Sequence, residues 1–157
     1  MFYLIAAVGK NYEIGKGSDL IFRLKDDMAF FRKKTLGSKV VMGRKTWDSL
    51  PGRLEGRTNI VVSHSGVSGA DYVLTDLDSF IRENADTDEE IFVIGGESIY
   101  RSFIDFAKKI CLTEIDEAVS GATAFFPKFE KSGYTRKVIS QGLENGLHYS
   151  IVEYDKI

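Results

Sequence analysis

The sequence predicts an α/β fold: one domain on a mostly parallel eight-stranded sheet, with about four flanking helices and an antiparallel hairpin at the C-terminal edge. Three observations lead there. The chain has 157 residues, 43% of them hydrophobic, which is enough for one core and too few for two. Runs rich in Val, Ile, Tyr and Phe alternate with helix-like stretches for most of the length, as when parallel strands are joined through helices. The last two β-rich runs are separated by Glu144-Asn145-Gly146, and an Asn-Gly pair favours a tight hairpin turn.

Taken in order, residues 2–8 are an apolar strand, and residues 24–36 follow as a helix. At about 100° per residue, Leu24, Met28, Phe31 and Thr35 of that helix share one inward stripe. Residues 39–42 are a strand that runs through Gly43 into a short helix, 45–50. Strands follow at 58–63 and 72–74, then a helix at 77–84. The strand 91–94 passes through Gly95-Gly96 into a helix at 98–107. Strands at 109–115, 134–140 and 148–154 complete the set, the last two as the hairpin.

Composition narrows the function. A formal net charge of −2, with Lys and Arg dispersed, gives no general attraction to nucleic acid or anionic membrane, so any anion site is local. Cys111 is the single cysteine, so no internal disulfide can form. The apolar start MFYLIAAVG is too short for a secretion signal and lacks a basic flank, so the expected compartment is the reducing cytoplasm. No apolar run approaches the roughly 20 residues of a membrane span. Cys111 reads as a small core residue, and His148 has no second ligand at metal spacing, so no metal is expected. Trp47 and the phenylalanines read as core.

Three stretches carry chemistry. In open sheets of this kind ligands sit beyond the carboxyl ends of the strands, where helix N-termini offer free N–H groups. On the first helix, Asp27 falls roughly 60° from the centre of the apolar stripe, while Asp26 points toward water with Lys33. A carboxylate beside Met28 and Phe31 is costly to bury without a partner, and no basic residue of the stripe supplies one. A ligand rich in N–H groups would; alternatively Asp27 only stabilises the helix dipole. The second stretch, Val40-Val41-Met42-Gly43-Arg44-Lys45-Thr46-Trp47, offers N–H groups, a hydroxyl and two cations, which is anion-binding chemistry, or else an ordinary charged surface turn. It is not a Walker site, because the upstream glycine of GxxxxGK[ST] is missing. The third is Ile91-Phe92-Val93-Ile94-Gly95-Gly96-Glu97-Ser98-Ile99-Tyr100, where paired glycines let backbone approach a ligand, or serve only chain direction. Two such sites suit a diphosphate, although no GxGxxG is present.

Together these residues resemble the dihydrofolate reductase family over nearly the whole chain, which makes residues 1–157 one domain of that kind. The most specific parts are Ile14-Gly15, Asp27-Met28 followed by Phe31, Val41 to Trp47, Gly95-Gly96 with Tyr100, and Leu112-Thr113. The resemblance implies NADPH-dependent reduction of 7,8-dihydrofolate, hydride passing to pterin C6 and a proton to N5, in support of one-carbon metabolism. It implies that Asp27 accepts hydrogen bonds from pterin N3 and the 2-amino group, with Thr113 supporting it. Ile5, Ala6, Met28, Phe31, Leu50, Leu54, Ile94 and Tyr100 would line the cleft, and Arg57 would clamp the α-carboxylate of the glutamate tail. Antifolate inhibitors would occupy the same cleft.

On the cofactor side the same resemblance assigns backbone groups of Ala7 and Ile14 to the nicotinamide carboxamide, and it counts Gly15, Leu20 and Thr123 among the cofactor-binding residues. Arg44, with Lys45, Ser63, His64 and Ser65, would surround the 2′-phosphate that distinguishes NADPH from NADH. Gly43, Thr46, Gly95, Gly96, Glu97, Ser98, Ile99 and Tyr100 would hold the diphosphate, provided the Glu97 side chain points away.

The chain departs from the family pattern in three places. Leu20-Ile21-Phe22 stands where Leu/Met-Pro-Trp is usual, so Phe22 fills the catalytic position of a tryptophan without its N–H. Gly121-Ala122-Thr123-Ala124 lacks the usual loop acid, which bears on loop closure. Gly52-Arg53 shifts an arginine of the substrate-side loop. Two other functions share part of the pattern: a reductase of another pterin or a riboflavin-pathway pyrimidine, and a nucleotide-binding module without turnover. Asp27 and Arg57 favour folate over both. The expected partner is a small molecule, and the chain is expected to act as a monomer.

Overall fold

The computed structural model describes the backbone of residues 1–17, 19–20 and 22–157, and side chains for 1–17 and 22–157. Its main sheet has eight strands: β1 (Phe2–Val8), β4 (Lys39–Gly43), β5 (Thr58–Val62), β6 (Tyr72–Leu74), β7 (Ile91–Val93), β8 (Ala107–Ile115), β10 (Tyr134–Glu144) and β11 (Leu147–Lys156). Three short strands, β2 (Glu13–Lys16), β3 (Asp19–Leu20) and β9 (Ala124–Phe125), form a second small sheet that the residue pattern did not indicate. At two to four residues of mixed composition (EIGK, DL, AF) they show neither an alternation nor the wholly apolar run that marks β6 and β7. Four helices pack on the main sheet: α1 (Lys25–Thr35), α2 (Arg44–Ser49), α3 (Leu77–Asn84) and α4 (Glu97–Phe103).

The order across the main sheet is β10-β11-β8-β1-β7-β4-β5-β6. From β8 to β6 every pairing is parallel, and the antiparallel β11 and β10 close the edge. Asn145 and Gly146 form the two-residue turn of the hairpin, both at positive φ (52° and 77°), the conformation an Asn-Gly pair adopts at low cost. The chain crosses from β1 to β4, moves outward to β6, then returns to place β7 between β1 and β4 and β8 on the other flank of β1. The carboxyl ends of β1, β4, β7 and β8 therefore lie side by side. Every predicted constellation begins at one of those ends or on the helix beside them.

Alternation along these strands divides the core. Phe2, Leu4, Val41, Ile91, Val93, Ile110 and Leu112 face α3 and α4, meeting Ile81, Ile99 and Phe103. Tyr3, Ile5, Val40, Met42, Phe92 and Cys111 face the other way, toward Phe30 and Phe31 of α1 and Trp47 of α2. Cys111 is buried in that layer as a core residue, and burial pushes its thiol up to about 12.

Several boundaries differ from expectation. The helix expected over 98–107 ends at Phe103, passes through a 3₁₀ turn over Ile104–Phe106, and Ala107 opens β8 beside Phe2. The hairpin strands run longer than expected because their pairing continues to Glu144↔Leu147. The inward face of α1 is also turned. Leu24 and Thr35 are buried as expected, but Met28 is 56% exposed, whereas Asp27, Phe30 and Lys34 are partly covered. The packed face is thus rotated roughly 60° from the expected stripe, toward Asp27, because Phe30 packs into two apolar clusters and draws its side of the helix inward.

Candidate active site

Asp27 sits near the centre of the buried face of α1, opposite the end of β8. Thr113, on the same face of β8 as Cys111, meets it: its hydroxyl donates to Asp27 Oδ1 at 2.5 Å. Thr113 is paired in register with Ala7 of β1 and is 2% exposed. Burial pushes the Asp27 carboxyl above its ordinary value, and the Thr113 hydrogen bond only partly offsets this. One hydroxyl is a thin complement for a carboxylate that can accept several hydrogen bonds. Asp26 does not simply face water as expected. It is exposed, but it accepts a hydrogen bond from the Tyr149 hydroxyl, which anchors the start of α1 to β11 and pushes the phenol up to about 12. Glu144 accepts from the Lys25 amide at 2.8 Å at the same helix end.

The apolar wall beside Asp27 is largely assembled. Ile5 is buried in one cluster with Phe31, Leu50, Leu54 and Ile94 packed against it, while Met28 remains exposed outside it. Phe22 and Ala7 pack against a separate cluster of Leu24, Ile115, Tyr149 and Ile151. Ala6 and Ala7 are part-buried on β1. Tyr100, on α4, reaches across from the other layer, and its hydroxyl donates to the Ile5 carbonyl at 2.7 Å. Burial and then the charge of Asp27 push this phenol far up, so it stays a donor.

Arg57 precedes β5 and is only 8% exposed. Its Nη1 donates to Thr35 Oγ1 at 3.2 Å and its Nε to the Glu55 carbonyl at 3.0 Å. Among the described residues no carboxylate pairs with it, and burial followed by the nearby Arg32 lowers its pKa. A buried cation held by neutral oxygens is poised for an anion. Arg53, by contrast, is engaged by both Asp71 oxygens, at 2.8 and 3.1 Å. What shapes this segment is a buried side chain not among the residues expected in the site. Asn59, wholly buried on β5, accepts from the Leu54 amide at 2.9 Å and donates to the carbonyls of Leu54 and Arg57 at 2.9 and 3.0 Å. An asparagine inside the apolar strand run TNIVV was the signal available for it.

The cofactor candidates also converge. Gly43 donates its N–H to the Gly95 carbonyl at 2.8 Å, and Ile94 donates to Val41 at 2.9 Å, so the two strand-glycine-helix turns are joined. The Gly95–Gly96 peptide bond is cis, with Gly95 at φ 124°. A Cβ on Gly95 would lie 3.4 Å from both Thr46 Oγ1 and the Tyr100 hydroxyl, and one on Gly43 would lie 3.1 Å from Ile99 Cγ1. Glycine is thus required at Gly95 by its backbone conformation and at Gly43 by the closeness of Ile99, and the turns between α2 and α4 present bare backbone as a cradle.

Arg44 opens α2 and reaches Asp48 at 3.1 Å and Ser65 Oγ at 3.3 Å, while Ser65 and Ser63 hydroxyls lie 3.3 Å apart. Lys45 and His64 are exposed nearby in the chain, and Ser98 is exposed on α4. Glu97, which needed to point away from the cradle, accepts from the Phe125 amide at 2.7 Å and from Arg101 Nε at 3.3 Å. Ile14 and Gly15 are buried on β2, and the loop after β8 reaches them through Thr123, whose N–H donates to the Gly15 carbonyl at 2.9 Å. Thr123 Oγ1 in turn accepts from the Gly17 amide at 2.8 Å. The side chain of Leu20, and all of Ile21, lie outside the described residues. Recesses of about 370 and 340 Å3 occur elsewhere on the surface, and no predicted site residue lines either.

Comparison with known proteins bears on this arrangement as a whole. The dihydrofolate reductase family model matches residues 1–156. The chain is 36% identical to the dihydrofolate reductase of Neisseria gonorrhoeae, over 96% of this chain and 95% of that one. It is 33% identical to that of Bacillus subtilis strain 168, over 99% and 95%, and 34% identical to that of Mycobacterium tuberculosis strain H37Rv, over 99% and 98%. The joined glycine turns, the half-buried Asp27 and the full-length match lead to one conclusion: the chain belongs to the dihydrofolate reductase family, oxidoreductases that reduce dihydrofolate to tetrahydrofolate.

Proposed function

We propose that this protein reduces 7,8-dihydrofolate to 5,6,7,8-tetrahydrofolate with NADPH, supplying reduced folate for one-carbon metabolism. The observation that carries the reading is the half-buried Asp27 carboxylate, whose one donor among the described residues is the Thr113 hydroxyl. The N3 hydrogen and 2-amino group of a pterin supply the donors it lacks. Gripped this way, the ring lies against Ile5, Phe31, Leu50 and Ile94, with the Ala6 backbone beside it and Met28 at the rim. Asp27 then does two things for the reaction: it orients the acceptor carbon, and it stabilises positive charge that develops on the pterin as N5 is protonated. Phe22 is an apolar ring that offers no donor. Arg57 receives the α-carboxylate of the glutamate tail, with Leu54 against the linker.

The residues present suit NADPH, the general cofactor of the family. Neither Gly95 nor Gly96 puts a side chain between the backbone and a diphosphate, and Thr46, Ser98 and the backbone from Gly96 to Ile99 would hold it beside Gly43 and Tyr100. Arg44, Lys45, Ser63, His64 and Ser65 would receive the 2′-phosphate, and Ala7, Ile14, Gly15, Leu20 and Thr123 would frame the nicotinamide end. When bound, the cofactor supplies the hydride for pterin C6. No helix among the described residues is long and apolar enough to cross a membrane.

The test is to follow NADPH absorbance with the purified protein from acid to neutral pH. Oxidation that requires dihydrofolate, and that NADH or a riboflavin-pathway pyrimidine does not support, is expected. Absence of dihydrofolate-dependent oxidation across that range would overturn the reading.

A further inference from the structure

Glu13 is the one wholly buried carboxylate among the described residues that the proposed chemistry does not use, at 1% exposure. It opens β2, two residues before Gly15. Its Oε1 accepts from the Asn11 amide at 2.6 Å, and its Oε2 accepts from the Val119 amide at 2.5 Å, across 106 residues of sequence. Burial alone would push this carboxyl up, but the hydrogen bonds from the backbone amides of Val119, Glu13 itself and Asn11 outweigh it and hold the group below the usual carboxylate range. The surroundings are built to admit it. A Cβ on Gly9 would lie 2.7 Å from Glu13 Oε1 and 2.8 Å from the Glu117 carbonyl, so only glycine fits there.

Around this anchor the two segments run together: Lys10 N–H donates to Glu117 at 2.9 Å, Thr123 N–H to Gly15 at 2.9 Å, and Phe126 N–H to Tyr12 at 2.8 Å. Those are neutral backbone bonds. Glu13 adds a charge-assisted pair in a desolvated place, the stronger kind of contact. What it fastens is the segment carrying Thr123 to the strand carrying Ile14 and Gly15.

We propose that Glu13 is a positioning residue for the nicotinamide end of the cofactor site, acting by fastening the 116–123 loop to the start of β2. This rests on the NADPH reading above. The charge matters as well as the shape. A glutamine at this place has one carbonyl oxygen for two amide donors, so either the Asn11 or the Val119 N–H would face an NH2 group.

The experiment compares wild type, Glu13→Gln and Glu13→Asp in two measurements. Amide hydrogen exchange of the free protein should show Val119 and Thr123 exchanging about tenfold faster in Glu13→Gln, with Ile110 to Leu112 in β8 unchanged. Binding should show the Kd for NADPH raised about tenfold, while that for adenosine 2′,5′-bisphosphate, which lacks the nicotinamide, moves less than about twofold. Glu13→Asp keeps the charge with a shorter reach and should fall between the two, so the outcome does not hang on one variant's folding. Unaltered loop exchange, or equal weakening of both ligands, overturns the inference. Wild-type protein that binds no NADPH overturns the functional reading itself, a result distinct from wild-type binding with unaltered variants.

Discussion

The two halves of the proposed site would meet their ligands in opposite ways. On the substrate side the polar groups are side chains held in low-dielectric surroundings with too few partners: Asp27 has the Thr113 hydroxyl, and Arg57 has Thr35 and a carbonyl. On the cofactor side the groups are backbone amides in a glycine cradle and exposed side chains that already satisfy one another, as Arg44 does with Asp48 and Ser65. The substrate half therefore stores an electrostatic deficit that a ligand relieves, and the cofactor half offers a preformed surface. Losing a substrate-side charge should cost far more than losing a cofactor-side one.

The largest effect is expected at Asp27. Asp27→Asn should lower kcat at neutral pH by about 100-fold or more while leaving the Kd for NADPH within about twofold. Equal loss of cofactor binding would erase the division between the halves. Next is Arg57→Leu, expected to raise KM for dihydrofolate by about 10- to 100-fold with little change in kcat. A pterin substrate without the glutamate tail should not respond, and steady-state kinetics with both substrates checks this. Smaller again, Arg44→Ala should weaken NADPH by about tenfold and NADH hardly at all, measured by fluorescence titration.

The smallest is a stability effect of opposite sign. The folded state raises the Asp27 pKa above the ordinary 3.8, so the native protein binds this proton more tightly than the unfolded chain, and the site costs stability as pH rises through that interval. Asp27→Asn should therefore raise the Tm at neutral pH, and the two melting curves should converge below pH 3.8, where both forms are neutral in either state.

Much of the same contrast governs what the sequence could reveal. Most strands of the main sheet were legible because they are long and β-branched, the three-residue β6 and β7 because every residue in them is an apolar strand former, and the Asn145-Gly146 turn was visible as a dipeptide. The cradle was legible for a local reason: each of its glycines stands directly between a strand and a helix. What stayed hidden depended on partners remote in sequence. Met28 belongs to the stripe through Leu24, Phe31 and Thr35, which leaves Phe30 out, whereas Phe30 packs into two clusters and sets the rotation. The roles of Asn59, Glu13 and Glu97 as holders of backbone amides follow from loops folded against them, and nothing in their immediate neighbours announces it. The loop lacking its usual acid is instead met by Thr123 from within and by Glu13 and Glu97 from outside.

The most direct test of the central claim, that Asp27 serves the reaction by gripping and stabilising a pterin acquiring positive charge, is the pH profile of kcat/KM for dihydrofolate in wild type and Asp27→Asn. The account predicts that the ratio of wild type to variant is largest at neutral pH and shrinks steadily toward acid, where the substrate arrives already protonated. A ratio near one, or one that does not change with pH, would contradict it.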